Sequence, residues 1–249
     1  MIKIFRTIRQ RMLKENRFSR YFLYAIGEIV LVVIGILIAL QVNNWNESNR
    51  TQARVKIALH ALRSDLVQDT LLVSMKLPEV IDHQRLNESL RARIAKPGAD
   101  PDTLLEIARH KFNPTWTSLI AYNTNAYSSL NDMGLLESIK DPLKAHIKTF
   151  YTEKAYLGNL VERATNDYRS KVASYVDTYS FGSTALHDQG QLIDSLIWSD
   201  VDLAHLAARF QGLSNFKRIL FTQTREELEY SRTNSVLLIQ EIDQYLNEQ

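Results

Sequence analysis

The sequence predicts an all-α protein: an N-terminal amphipathic segment, one transmembrane helix continuing into a stalk, then an extracytoplasmic helical bundle. Three observations lead there. Phe22 to Val42 is an apolar run of 21 residues whose one formal charge is Glu28. As a helix it spans ~31 Å, about the hydrocarbon thickness of a bilayer. The rest of the chain repeats apolar residues at three- and four-residue spacing, the mark of helices that bury one face. Eight Gly and five Pro in 249 residues are few for the many turns of a β-rich fold.

The apolar run differs from its alternatives. Ile29 to Leu40 is apolar on every face, unlike an amphipathic surface helix. A cleaved signal has a shorter apolar core and small residues at its exit, whereas this run leaves through Leu40, Gln41, Val42, Asn43 and Asn44. Its flanks set an orientation. Residues 1–21 hold Lys3, Arg6, Arg9, Arg11, Lys14, Arg17 and Arg20 against Glu15 alone, while the whole chain is only +2. Basic flanks stay cytoplasmic, so the expected arrangement is a cytoplasmic N-terminus and a periplasmic C-terminal domain. Tyr21 and Tyr24 at one end and Trp45 at the other suit the membrane interfaces. Met1, Ile4, Phe5, Ile8, Met12 and Leu13 share one side of residues 1–14, an amphipathic helix suited to lie on anionic headgroups.

Within the run, small residues recur on one side at Gly27, Gly35 and Ala39. Such a stripe lets a second helix approach closely. Glu28, one heptad before Gly35, sits at the edge of that stripe. An ionisable residue at this depth faces a partner or cavity, or it snorkels to the interface. Gly27, Glu28, Gly35 and Ala39 are therefore the candidate intramembrane contact. The expected partners are the lipid bilayer and, through the span, a second copy or another membrane protein.

The expected segments are 1–21 (basic amphipathic head), 22–42 (span), 43–99 (stalk) and 100–249 (a bundle that the stalk completes). Val55, Leu59, Leu62, Leu66 and Val73 continue the helix as an apolar stripe, Pro78 kinks or interrupts it, and Leu86, Leu90 and Ile94 resume it before Lys96-Pro97-Gly98. Asp100-Pro101 caps a short helix to about His110. Asn123 to Gly134 holds another, stopped by its glycine, and Leu135, Leu136 and Ile139 follow as an apolar turn. Asp141-Pro142 caps a long helix from Leu143 towards Tyr179. The spacing predicts a loop over 180–194, a helix opened by a Ser199/Asp202 capping box and ending at Phe210, a bend at Gly212, and a last helix to about Leu246. The core positions of that last helix are read as Phe216, Leu220, Leu228, Val236, Ile239 and Ile242.

The run from Tyr24 to Gln41, YAIGEIVLVVIGILIALQ, followed by NNWNE at Asn43–Glu47, resembles the signature of an uncharacterised bacterial family of single-span membrane proteins, a domain of unknown function. Ala126 to Gly134, with Leu143 to Tyr151 behind it, resembles that family's second block; 182–249 carries no such motif. The resemblance implies a bacterial inner-membrane protein with a helical periplasmic domain. It implies no activity and no catalytic residues.

The chemistry-bearing patterns are sparse. The absence of cysteine excludes disulfides, thiolate zinc sites and thiol catalysis. None of the six histidines makes H-E-x-x-H, and Asp202-x-x-His205 supplies two groups where a metal site needs more. No phosphate-binding glycine loop or nucleophile elbow occurs. Basic residues concentrate beside the span, so no nucleic-acid partner is expected. Glu226, Glu227 and Glu229 read as a solvated helix face, and the tyrosines of the Leu143–Tyr179 helix as core. Asn123, Asn125, Tyr127 and Asn131 form the densest polar-aromatic group, which turn formation explains.

The expected function is therefore a non-enzymatic, membrane-anchored scaffold or interaction protein, with no catalytic residue, metal or cofactor. The alternatives are a periplasmic ligand-sensing or transport-accessory domain working through a membrane partner and, behind it, an envelope enzyme. A substantial pocket with convergent polar groups favours the sensor; clustered perturbed acids or histidines favour the enzyme; a smooth bundle favours the scaffold.

Overall fold

The computed structural model describes residues 18–116, 120–179 and 190–248. Their regular structure is helical: α1 (Phe18–Ile94), α2 (Pro101–Glu106) running into a π-helical turn (Ile107–Lys111), α3 (Asn125–Asp132), a 3-10 turn (Leu135–Ser138), α4 (Leu143–Val176), α5 (Gly190–Ser199) and α6 (Leu203–Asn247). The chain divides into two compact units between Lys56 and Ile57. The expected amphipathic helix over residues 1–14 and the basic residues up to Arg17 lie outside the described residues. So do the side chains of residues 18–21, Arg20 and Tyr21 among them.

In the first unit, no side chain from Phe22 to Val42 is buried. The core helix of a globular domain is covered by its neighbours; here none of the described residues buries the apolar surface. By length and composition this helix can cross a membrane, and an apolar surface of this extent needs lipid or protein around it. A Cβ placed on Gly27 or Gly35 meets nothing within 4 Å.

α1 does not stop at Pro78, where the sequence predicts a kink or an interruption; the proline lies inside the helix. Leu77 and Val80 are buried on either side of it and pack with Val73, Phe221 and Leu228. That packing holds the turn in which proline leaves one backbone acceptor without its donor. The helix ends at Ile94, and Gly98 follows with φ 88°.

In the second unit, the part of α1 from Ile57 onward packs with α4 and α6, and the short helices fill the space between. One cluster gathers Leu90, Phe112, Tyr168, Tyr175, Phe210 and Leu220 with neighbours from every element after α1 except α3 and the 3-10 turn; the Phe112 and Phe210 rings meet edge to face at 4.9 Å. Asp100 caps α2 as expected, accepting from the Thr103 N–H at 2.8 Å. Gly134 takes the left-handed conformation after α3, at φ 67°.

Several local expectations are overturned. Residues 190–194 are the first turn of α5 rather than loop, because Leu192, Ile193, Leu196 and Trp198 give a helical pattern that buries Trp198; 180–189 lie outside the described residues. Ser199 ends α5 instead of opening the next helix. Asp202 alone caps α6, accepting from the N–H groups of Ala204 and His205. Gly212 interrupts nothing, and α6 is one helix of 45 residues. α4 begins at Leu143 behind Pro142 and has no side-chain cap from Asp141. Two core positions go to polar residues where the sequence offered apolar ones. Leu86 is exposed while Asn87 is buried and donates to the Ser214 carbonyl at 3.1 Å. Likewise Val236 is exposed while Ser231 and Ser235 face inward.

Lys217 is a buried cation of a different kind. Its ammonium donates to the Asn113 carbonyl and lies 5.0 Å from the centre of the Phe112 ring. Burial brings its pKa down to about 8. It ties the segment after the π-turn to α6.

Candidate functional site

Asp69 on α1 is 1% exposed and Lys154 on α4 is 7% exposed, and they meet at 2.9 Å. Removing two charges from water costs several kcal/mol unless geometry and further hydrogen bonds compensate. Here they do. The other carboxylate oxygen of Asp69 accepts from the Asn123 backbone N–H at 2.9 Å and from its side-chain amide at 3.0 Å. Lys154 sits 3.7 Å above the centre of the Tyr122 ring, a cation–π contact in a dry setting. Burial lowers the lysine's pKa, and the bond to Asp69 counters that shift. One turn before Asp69, Asp65 accepts from the Ala126 N–H at the start of α3 at 3.2 Å. Two carboxylates one helical turn apart thus seat the segment that carries Tyr122 and Asn123.

Next to this pair lies a cavity of about 350 Å³, lined by α4, α6 and the segment at Ile120 and Tyr122. Its apolar wall is Ile120 and Val161; its polar wall is Tyr122, Lys154, Thr224 and Glu227; Glu162, Asn166 and Arg169 stand at its exposed side. Gly158, in the middle of α4, opens the space: a Cβ there would meet nothing within 4 Å.

Glu227 decides the character of the cavity. It is 4% exposed, and no Lys or Arg among the described residues pairs with it. Burial pushes its carboxyl above the usual range, against the pull of the Tyr122 hydroxyl and the Lys154 charge. The Tyr122 hydroxyl is driven upward by burial and then by the Glu227 charge. It lies beside Glu227 and Ser231 without closing a hydrogen bond of standard geometry to either. Thr224 Oγ1, on a side chain 0% exposed, also has no partner among the described residues. A buried polar atom without a partner costs about 1–3 kcal/mol, and each one calls for an explanation, an unfilled binding site among them.

The structure places the sequence-derived candidates as follows. Gly27, Glu28, Gly35 and Ala39 lie in the first unit, together with Tyr24 and Trp45, both exposed. Asn123 belongs to the Asp69 network, and Tyr127 stacks on Tyr151 with ring centres 3.8 Å apart. Tyr151, Tyr168 and Tyr175 are core. Asp202 is a helix cap, and His205 pairs through Nδ1 with the Tyr179 hydroxyl at 2.7 Å. Among the described residues no group of three or more His, Asp or Glu is placed to share a metal ion. The reading of Glu226, Glu227 and Glu229 as a solvated face is corrected: Glu226 is exposed, but Glu227 points inward. The available signal was its spacing, three residues after Thr224 and one before Leu228, on the buried side of α6.

Residues 28–95 match a family described as a family of unknown function (DUF6090). An uncharacterised domain is thus present over most of α1; of the cavity network it includes Asp65 and Asp69, while the second block at Ala126–Gly134 lies outside it. No curated protein matches the chain, and no solved structure does.

The ion pair makes a direct prediction. Lys154→Met leaves Asp69 charged and buried, and should lower the unfolding free energy of the full chain in micelles by about 3 kcal/mol. Adding Asp69→Asn keeps an acceptor for Asn123 and removes the stranded charge, so the double variant should recover more than half of that loss. A double variant as unstable as the sum of the single changes would show that the pair is not coupled.

Proposed function

We propose that the protein is a membrane-anchored helical receptor: the apolar part of α1 holds it in the bilayer, and the second unit binds a small molecule in the cavity beside Lys154 and Glu227. One observation carries this reading, the convergence of Tyr122, Thr224 and Glu227 on a cavity of about 350 Å³. That volume falls in the range of small-molecule sites, and such a mixture of apolar wall and few polar groups is their usual lining. Of the three functions weighed from the sequence, a pocket with convergent polar groups supports ligand sensing over a plain scaffold. The site has one perturbed carboxyl, Glu227, and presents no nucleophile paired with a base among the described residues, so binding is a better account of it than turnover.

Gly158 provides the test. In mid-helix it costs about 1 kcal/mol relative to alanine, and the space beside it admits a larger side chain. Gly158→Leu should preserve or raise the melting temperature of the full chain while filling the cavity. In a thermal-shift screen against small polar metabolites, the native chain should show stabilising compounds to which Gly158→Leu does not respond. Identical responses in both proteins would sink the receptor reading.

The membrane arrangement belongs to the same proposal: an inner-membrane single pass with the N-terminus cytoplasmic and the cavity periplasmic, supported by the basic flank and the uncovered apolar run. A periplasmic reporter fused after Gln249 should be active and a cytoplasmic one silent, and replacing the basic residues before Tyr21 by Gln should weaken that bias. The opposite reporter pattern would invert the topology.

The span is proposed to meet a second copy or a membrane partner along Gly27, Glu28, Gly35 and Ala39. Gly35→Leu should reduce crosslinking in membranes by closing the groove, and Glu28→Gln should reduce it without impairing insertion. Unchanged crosslinking in both variants would leave the span as an anchor only.

A further inference from the structure

We infer that the ligand of this cavity is a small organic ammonium, with its cationic head against the Glu227 carboxylate and its apolar part along Ile120 and Val161. The inference rests on the receptor reading and adds the charge of the ligand to it.

The charges around the cavity do not balance inside it. Asp69 and Lys154 satisfy each other, and the remaining acceptor capacity of Asp69 goes largely to Asn123. Glu162 and Arg169 are both exposed and of opposite sign. Glu227 is left as a buried carboxyl on the cavity wall with no cation of its own. A ligand that brings a positive charge completes this set. An anion would meet Glu227 directly and find Lys154 already held by Asp69.

The hydroxyls agree. Thr224 lines the cavity, and its buried Oγ1 has no partner among the described residues; the Tyr122 hydroxyl stands beside Glu227 and Ser231. Each has lone pairs to offer an N–H donor. An ammonium carries several donors, enough for Glu227 and both hydroxyls. A metal ion is a poorer fit, since no three ligating side chains converge among the described residues.

Protonation is linked to this binding. The groups acting on Glu227 are Tyr122 from the connecting segment and Lys154 from α4; behind Lys154 stands Asp69 from α1, and Glu162 and Arg169 from α4 line the same cavity. Burial raises the Glu227 carboxyl. A raised carboxyl favours the native state below its unfolded pKa, and that contribution is lost as pH rises through the folded value. Affinity for a cation changes in the opposite sense, increasing as the carboxyl ionises.

The experiment compares butylammonium, butanol and butyrate, which share a chain and differ in charge, by calorimetric titration of the full chain in micelles. Butylammonium should bind, more tightly as pH rises through the titration of Glu227, and the other two should not. Glu227→Gln should weaken butylammonium roughly 10–100-fold, the range for a hydrogen bond to a charged group, and Thr224→Val should weaken it several-fold. Gly158→Leu should abolish it. Failure of butylammonium to bind, equal binding by butanol or butyrate, or indifference to Glu227→Gln overturns the ammonium inference. If metabolites in the screen still bind in a manner that Gly158→Leu removes, the receptor reading survives that failure; if none does, both fall.

Discussion

The second unit depends on the buried pair between Asp69 and Lys154. These two side chains link α1 to α4, and through Asn123 they fix the segment that reaches across to the cavity. Hydrophobic clusters alone would leave that segment weakly specified, because Ile120 and Tyr122 are only partly buried against the apolar packing. A charge that is stable only when its partner is in place has a stricter geometric requirement than an apolar contact, which tolerates sliding. The polar network therefore sets where Tyr122 stands, and Tyr122 in turn forms both the seat of the Lys154 ammonium and one wall of the cavity.

That arrangement has a consequence for α6. Its inward stripe runs Lys217, Thr224, Glu227, Ser231 and Ser235 among leucines and isoleucines. Each of these polar residues costs stability that an aliphatic side chain would supply. Lys217 repays part of that cost through the Asn113 carbonyl and the Phe112 ring. The Thr224 and Ser235 hydroxyls have no partner among the described residues, and Glu227 has only the Tyr122 hydroxyl and the Lys154 charge nearby. Departures from an optimally packed core gather where the structure has another task, and two of these, Thr224 and Glu227, line the cavity.

How far the sequence reveals this differs by element. The apolar run was legible as a helix long and apolar enough to cross a membrane, and the α1 stripe from Val55 to Val73 because branched residues repeat at helical spacing. The same method failed where polar residues take core positions. Asn87 was passed over for Leu86, and Ser235 for Val236, since a pattern of apolar residues cannot register a buried amide or hydroxyl. Glu227 was hidden by its neighbours: with Glu226 and Glu229 it forms a cluster that composition assigns to solvent. Lys154 gave no signal, because what makes it unusual is Asp69, 85 residues earlier. Asn123 was noticed, and local turn formation explained it adequately until its contact with Asp69 was visible. Long-range pairing of single polar residues is the information that periodicity lacks.

The energetics of Glu227 connect the cavity to the stability of the fold. An ionised carboxylate in a bundle interior carries a penalty of several kcal/mol when unpaired, against a total stability of about 5–15 kcal/mol for a domain. The native state can lower that penalty by binding a proton, by drawing on the Lys154 charge, or by taking up a cation from outside. Lys154 is already committed to Asp69, so its help is indirect. The proton and an external cation then compete for one carboxyl. Occupation of the cavity by a cation would stabilise the second unit most where the proton is least available. α1 gives such a change in stability a physical address, because the helix that carries Asp69 is the one that begins in the apolar run.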